Sequence, residues 1–408
     1  CYGMATFEGP MLSLKNVNAI SHFTDWTIAH VHIGALGWNG FLTFGILYWL
    51  IPRMWNTDLY SKKLAGTHFW IGTIGIVLYA IPLYWAGFTQ SMMWKSFTDE
   101  GQLKFQFLET VTHILPMYIA RSIGGALYLT GALLMVYNLA KTIAKGSFIA
   151  NEAAEAPALA QAPAQAAKAG AHAYWHRWIE RRPMQMLVFS LIVVAIGGLI
   201  ELIPTFLVKS NIPTISSVKP YTPLELQGRD IYVREGCYLC HSQMVRPFRD
   251  EVARYGEYSK AGEFVYDHPF QWGSKRTGPD LARIGGKYPD SWHYNHLLDP
   301  SSMSPGSIMP SYVWLFDHEI DTADTYKKIK AMQTLGVPYP AGYAGQANRD
   351  LVDQEREIKA SLKGDKIITG QNKEIVALIA YLQRLGKDIK AAPAAQTAAA
   401  DGRAIMGN

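Results

Sequence analysis

Cys237-Tyr238-Leu239-Cys240-His241 is a C-x-x-C-H stretch, the attachment sequence of a c-type haem, and every other segment of the chain takes its meaning from it. Two thiols at this spacing add across the two vinyl groups of one porphyrin. The adjoining histidine is then held on one face of the ring as an iron ligand. A redox C-x-x-C or half of a zinc site is the bland alternative, but no second C-x-x-C exists and the only other cysteine is Cys1. The segment therefore predicts haem c in a chain that carries electrons.

The 408 residues are enough for two or three domains, and the mixture of very apolar and quite polar stretches requires reading them in pieces. The net charge of +5 is modest, and the basic residues gather at the ends of apolar runs, which argues for membrane topology and against nucleic-acid binding. With two of the three cysteines assigned to haem, no internal structural disulfide is expected. The chain opens on Cys1 in an ordinary-looking segment without a signal peptide, and an upstream portion is expected.

Apolar stretches long enough to cross a bilayer occur near 24–52, 66–89, 112–140 and 184–208. The predicted fold class is membrane all-α, with three helices of a bundle in 1–145 followed by a one-span anchor at 175–212. Arg53, Lys62 and Lys63 lie between the first two spans, Lys141 and Lys145 follow the third, and Arg177, Arg181 and Arg182 precede the fourth. The excess of Lys and Arg in cytoplasmic loops puts all three places inside. Alternation then brings the chain back outside after the fourth span, on the side where haem c is attached. The expected location is a multi-pass place in a bacterial inner membrane, with the haem c domain in a periplasm.

Residues 146–174 form an Ala-rich tract interrupted by Pro157 and Pro163, the composition of a linker. Residues 213–386 are polar and turn-rich, and they close on Glu374 to Leu385, where Ile375, Leu378, Ile379 and Leu382 share one helical face. A helix, C-x-x-C-H, a long loop region and a closing amphipathic helix are the order of a small mono-haem, class I-like cytochrome c domain. Residues 387–408 return to low complexity and read as a disordered tail.

A second axial ligand is sought among Met244, Met303, Met309 and Met332. Met309, in Ser307-Ile308-Met309-Pro310, is the first choice and Met303 its rival, because a proline-rich loop at that distance can return across the haem. In Gly278-Pro279-Asp280-Leu281, a backbone carbonyl such as that of Pro279 can accept the ring N–H of His241. In the first span, Ala29-His30-Val31-His32 places two histidines inside an apolar helix, where they are costly unless they act as ligands or pair. Positions i and i+2 point about 200° apart, so they cannot grip one metal and would serve two sites. One helix between two haems satisfies that geometry.

The chain resembles the C-family, or cbb3-type, cytochrome c oxidases over nearly its whole length. Residues 1–145 resemble the C-terminal part of the catalytic subunit, through Thr6-Phe7-Glu8-Gly9-Pro10, His22-Phe23-Thr24-Asp25-Trp26 and His30-Val31-His32-Ile33-Gly34-Ala35-Leu36-Gly37-Trp38. Residues from about 175 resemble the mono-haem subunit, through Arg234 to Met244 and Tyr266-Asp267-His268-Pro269-Phe270-Gln271-Trp272-Gly273. The chain thus reads as a fusion through the Ala-rich tract. The resemblance implies His30 as proximal ligand of the high-spin haem b3 and His32 as an axial ligand of the low-spin haem b. It also implies Glu8 near the high-spin haem and His22 near the haem propionates.

Copper held by three histidines is implied as well, but its ligands are not identifiable here; His68 and His113 are isolated on other spans. The expected activity is electron transfer from a cytochrome c donor through haem c and haem b to a haem b3–copper site. That site reduces O2 to water with proton translocation, alongside a di-haem cytochrome c subunit. A cytochrome c-dependent nitric oxide reductase and a non-enzymatic haem-bearing anchor are the alternatives.

Overall fold

The computed structural model describes residues 1–148, 175–208 and 213–391. Most of the Ala-rich tract and the end of the tail lie outside the described residues. The chain forms two compact units, one of Cys1–Phe148 with Thr214–Asn408 and one of Ile149–Pro213. Among the described residues the secondary structure is helical, and β-pairing is confined to isolated bridges.

The first unit begins with two short helices, α1 (Tyr2–Ser13) and α2 (Lys15–Ser21), and then enters the membrane bundle. Helix α3 (Asp25–His32) starts at Thr24, whose hydroxyl accepts from the Trp26 amide, and runs through a π-helical stretch (Ile33–Gly40) into α4 (Phe41–Met54). The first span is therefore one 30-residue helix, Asp25–Met54, with a wider turn directly after His32. Nothing in the 3.6-residue apolar pattern predicted that widening; π-turns inside helices recur at functional sites. Two long helices follow, α5 (Lys62–Trp94) and α6 (Phe107–Lys145). They pack at close range because Gly75 and Gly124 face one another: a Cβ on Gly124 would lie 2.6 Å from the Tyr79 amide nitrogen and one on Gly75 2.7 Å from that of Tyr128. Small residues at such crossings let two backbones approach where water supplies no driving force.

The second unit contains α7 (Trp175–Glu180) and α8 (Pro183–Leu207), of which Pro183–Thr205 is long and apolar enough to cross a bilayer. With Asp25–Met54, Lys62–Trp94 and Phe107–Lys145 it makes four such helices among the described residues, where the hydropathy placed them.

Returning to the first unit, the polar part folds as α9 (Pro223–Arg234), α10 (Arg249–Tyr255), α11 (Asp290–Leu298), α12 (Pro300–Met303), α13 (Thr325–Thr334), α14 (Ala347–Gly364), α15 (Glu374–Arg384) and α16 (Lys387–Lys390). Thr222 opens α9 with a reciprocal cap, its hydroxyl accepting from the Glu225 amide while the Glu225 carboxylate accepts from the Thr222 amide. Two corrections to the sequence reading arise here. Helix α15 is not merely amphipathic: every side chain from Glu374 to Leu382 is buried, because α9 covers one face and α14 and α11 another. The tail begins later than residue 387, since Lys387–Lys390 is helical and its Ile389 is buried.

Candidate functional site: three histidines and the elements that hold them

The haem c segment sits on a single tight turn. Gly236, at φ +70°, ends α9 in the left-handed conformation and starts a 3-10 turn at Cys237–Leu239, so both thiols leave the same corner. Both are free, and burial, with Glu235 adding to it, pushes the Cys237 thiol up to about 12. The turn is closed by the Cys240 and His241 amides, which both donate to the Cys237 carbonyl. The His241 ring is fixed by a backbone group: Nδ1 lies 2.7 Å from the Pro279 carbonyl oxygen. In that tautomer Nε2 keeps its lone pair.

Gly278 makes the approach possible, since a Cβ there would stand 2.2 Å from His241 Cε1. The segment that follows the histidine is tied down as well. The Ser242 hydroxyl donates to Asp280 at 2.5 Å, and the Met244 amide donates to the same carboxylate at 2.8 Å.

Met309 is partly buried and packs against the domain core together with Cys237, Tyr238 and Tyr312. The Tyr312 amide donates to the Leu297 carbonyl, which joins the methionine loop to α11. Met332, by contrast, is buried inside the core, and Met303 does not join this cluster. Four buried polar atoms among the described residues of this domain have no hydrogen-bond partner: Ser217 Oγ, the Tyr232 hydroxyl, His293 Nε2 and His296 Nδ1. His296 is near enough to His241 for their charges to interact. Two free thiols, an oriented imidazole and a partly buried thioether fit a covalently held haem.

The bundle histidines diverge as the i, i+2 spacing requires. His30 turns toward α1, with Nδ1 3.3 Å from Glu8 Oε2 and its ring against Gly9. His32 turns toward α5; its Nδ1 donates to the Ile28 carbonyl at 2.7 Å, and the Tyr79 hydroxyl donates to its Nε2 at 3.2 Å. Each ring thus has Nδ1 engaged, which leaves Nε2 as the acceptor nitrogen; on His32 the Tyr79 hydroxyl occupies that lone pair.

Glu8 is buried and is the hub of its pocket. Besides facing His30 it accepts from Trp26 Nε1 at 2.6 Å and from the Tyr84 hydroxyl at 2.5 Å. Sequence reading found Glu8 but not Trp26, Tyr84 or Tyr79. The available signal was that a tyrosine in an apolar span needs a partner for its hydroxyl. Nor did it find the buried set in which Asp25 accepts from Gln90 and Tyr118, at 2.9 and 2.7 Å.

The His22 ring lies against that of Phe23, 4.2 Å between centres and tilted by 37°. Burial, with Arg246 and Arg276 adding to it against Glu251, brings its pKa down to about 4, so it is neutral at pH 7. Among the described residues, no group of three His, Cys, Asp or Glu side chains converges to hold a metal ion.

Residues 176–389, just over half of the chain, match the family described as Cytochrome C oxidase, mono-heme subunit/FixO, and residues 1–127 match Cytochrome C and Quinol oxidase polypeptide I. Cytochrome c oxidase subunit 1 of Rhodobacter capsulatus is 54% identical over 158 residues, 38% of this chain and 30% of the relative. A bacteroid subunit 1 homologue of Bradyrhizobium diazoefficiens is 55% identical over 146 residues, 36% and 27% respectively. A cbb3-type subunit of Stutzerimonas stutzeri is 46% identical over 143 residues, 35% and 30%. The chain spans less than a third of the length of each of these relatives. The families imply haem cofactors. The chain belongs to the mono-heme FixO family of cytochrome c oxidase subunits, and it carries ahead of that part a segment similar to subunit 1 of cbb3-type oxidases.

Proposed function

We propose that this chain is part of a terminal respiratory oxidase of the cbb3 type. It accepts electrons from a cytochrome c donor, or from a di-haem cytochrome c subunit of the same complex, and delivers them toward the site where O2 is reduced to water with proton translocation. Haem c, haem b, haem b3 and copper supply the redox chemistry when bound, the copper through ligands outside this sequence. The observation that carries this reading is that one helix, α3, presents His30 and His32 to opposite pockets within the same compact unit that holds Cys237, Cys240 and His241.

In this reading each residue has a defined task. Cys237 and Cys240 would tether haem c, the Pro279 carbonyl orients the His241 ring as one iron ligand, and Met309 would supply the other. His32 serves the low-spin haem b and His30 the high-spin haem b3. Glu8 accepts the Nδ1 proton of His30 and raises its donor strength, and Trp26 and Tyr84 hold that carboxylate in place. His22 stays neutral near the outer end of α3, where propionates would lie.

The haem-bearing domain lies on the end of the bundle that carries residues 18–23 and 94–105. Arg53, Lys62, Lys63, Lys141 and Lys145 mark the other end, which supports a periplasmic position for haem c in a bacterial inner membrane. Metal analysis of the intact complex tests the assignment. Copper present together with haem, and O2 consumed faster than NO, is expected; absence of copper with the reverse preference would give the reaction to a nitric oxide reductase.

A further inference from the structure

Five polar contacts between the haem-bearing domain and the bundle share one chemistry: arginines of the former donate to main-chain oxygens of the latter. Arg254, on α10, donates from Nη1 to the Phe105 carbonyl at 3.0 Å and from Nη2 to the carbonyl of Trp94, the last residue of α5, at 3.3 Å. Arg246 points Nη1 at the Asn18 and Ala19 carbonyls in the last turn of α2, 3.4 Å from each. Arg249 donates to the Gly101 carbonyl at 3.3 Å and lies over the Phe97 ring at 4.2 Å. The Trp94 and Ala19 carbonyls lie in the last turns of α5 and α2 and carry the negative end of a helix dipole, so a guanidinium is their natural partner. Lys95–Asp250, at 3.3 Å, is the one side-chain ion pair across this contact among the described residues.

Arg276 stands at the centre. Its amide donates to the Phe23 carbonyl at 2.9 Å, and its guanidinium lies 4.2 Å from the Phe23 ring. The same guanidinium donates to the Ser242 hydroxyl at 2.7 Å, the Met244 carbonyl at 2.8 Å and Glu251 at 2.9 Å. Ser242 follows His241, whereas Phe23 precedes the Thr24 cap of α3 and is fully buried at φ +68°, a conformation that a phenylalanine holds only when its surroundings enforce it. One buried side chain thus touches both the residue beside the haem c ligand and the corner from which the His30–His32 helix starts.

We propose that Arg246, Arg254 and Arg276 form a clamp that seats the haem-bearing domain on the bundle in a fixed register with α3, by recognising backbone and the Phe23 ring in place of side-chain charge. Its consequence for electron transfer rests on the proposed function; the docking itself does not. Most of its acceptors are carbonyls and Lys95–Asp250 is the ion pair beside them, so the contact loses less to added salt than one built on ion pairs. A lysine cannot replace the planar fork that reaches two acceptors at once.

The test uses the intact, haem-loaded membrane complex with Arg254→Ala, Arg254→Lys and Arg276→Lys. Two quantities are read: amide hydrogen exchange over 18–24 and 94–106, and the rate at which reduced haem c passes its electron to the bundle. Arg276→Lys should raise exchange over 18–24 by about tenfold and slow the transfer by a similar factor. Arg254→Ala should do the same at 94–106 with a smaller loss, which Arg254→Lys restores only in part. Unchanged exchange in both Arg254→Ala and Arg276→Lys would overturn the clamp, as would a wild-type contact that loosens steeply with added salt. If Arg276→Lys loses haem c, Arg254→Ala alone decides. Raised exchange in a complex that contains no b-type haem would leave the clamp standing and remove the proposed function.

Discussion

The two kinds of histidine site differ in what holds the ring. At His241 the Nδ1 partner is a main-chain carbonyl, Pro279, fixed by a chain segment whose Gly278 admits no side chain. At His30 it is a side-chain carboxylate, Glu8, kept in place by two further side chains from α3 and α5. A neutral carbonyl orients an imidazole and adds little basicity, whereas a buried carboxylate does both. The His241 ring is therefore held by backbone, with Gly278 its sensitive position, while the His30 ring is held by side chains that single mutations can remove.

The largest effects should come from breaking the haem c site outright. His241→Ala should abolish the low-spin haem c spectrum and stop oxygen uptake by the intact complex. Met309→Ala should retain the covalent haem but lose its His/Met signature in the optical spectrum; an unchanged spectrum would transfer the ligand role to Met303 or another residue. Glu8→Gln comes next and sharpens the contrast. It keeps the shape and removes the charge, so turnover should fall by about 10–100-fold and the iron–histidine vibration of the high-spin haem should weaken, with haem c unaltered. Tyr84→Phe leaves Glu8 with the Trp26 donor and should shift that vibration in the same direction by less, at a cost of about 1 kcal/mol in stability, measurable as a lowered thermal midpoint.

The smallest effect is in pH. Burial, with the neighbouring His296 adding to it against Asp290, brings His293 from 6.5 down to about 4. Between those values the unfolded chain binds the proton and the folded domain does not. Stability is therefore complete above about 6.5 and declines as pH falls toward 4. Replacing His293 by Leu should flatten that decline in a thermal melt, and an unchanged slope would assign it to other groups.

The features legible in the sequence were those that a short stretch of chain encodes. Four apolar runs announced four membrane-length helices, and C-x-x-C-H puts two thiols and an imidazole within five residues. The opposed directions of His30 and His32 followed from helical geometry alone. What escaped is carried by partners distant in the chain. Trp26, Tyr84 and Tyr79 complete pockets across 18 to 76 residues, and Arg276 joins segments more than 250 residues apart while reading in the sequence as an ordinary surface base. The π-turn after His32 escaped because apolar spacing registers that a helix is present and not how tightly it is wound. The all-round burial of α15 escaped because Ala377 and Ala380 carry too little apolar area to mark a second buried face.

The most direct test of the division of labour on α3 is the pair His30→Ala and His32→Ala in the intact membrane complex, with reduced-minus-oxidised and CO-difference spectra recorded for each. His30→Ala should remove the CO-reactive haem and leave the low-spin b-type band, and His32→Ala should remove the low-spin band first, with haem c present in both. Loss of the same haem in both variants, or the opposite pattern, would contradict the assignment of these two histidines to separate irons.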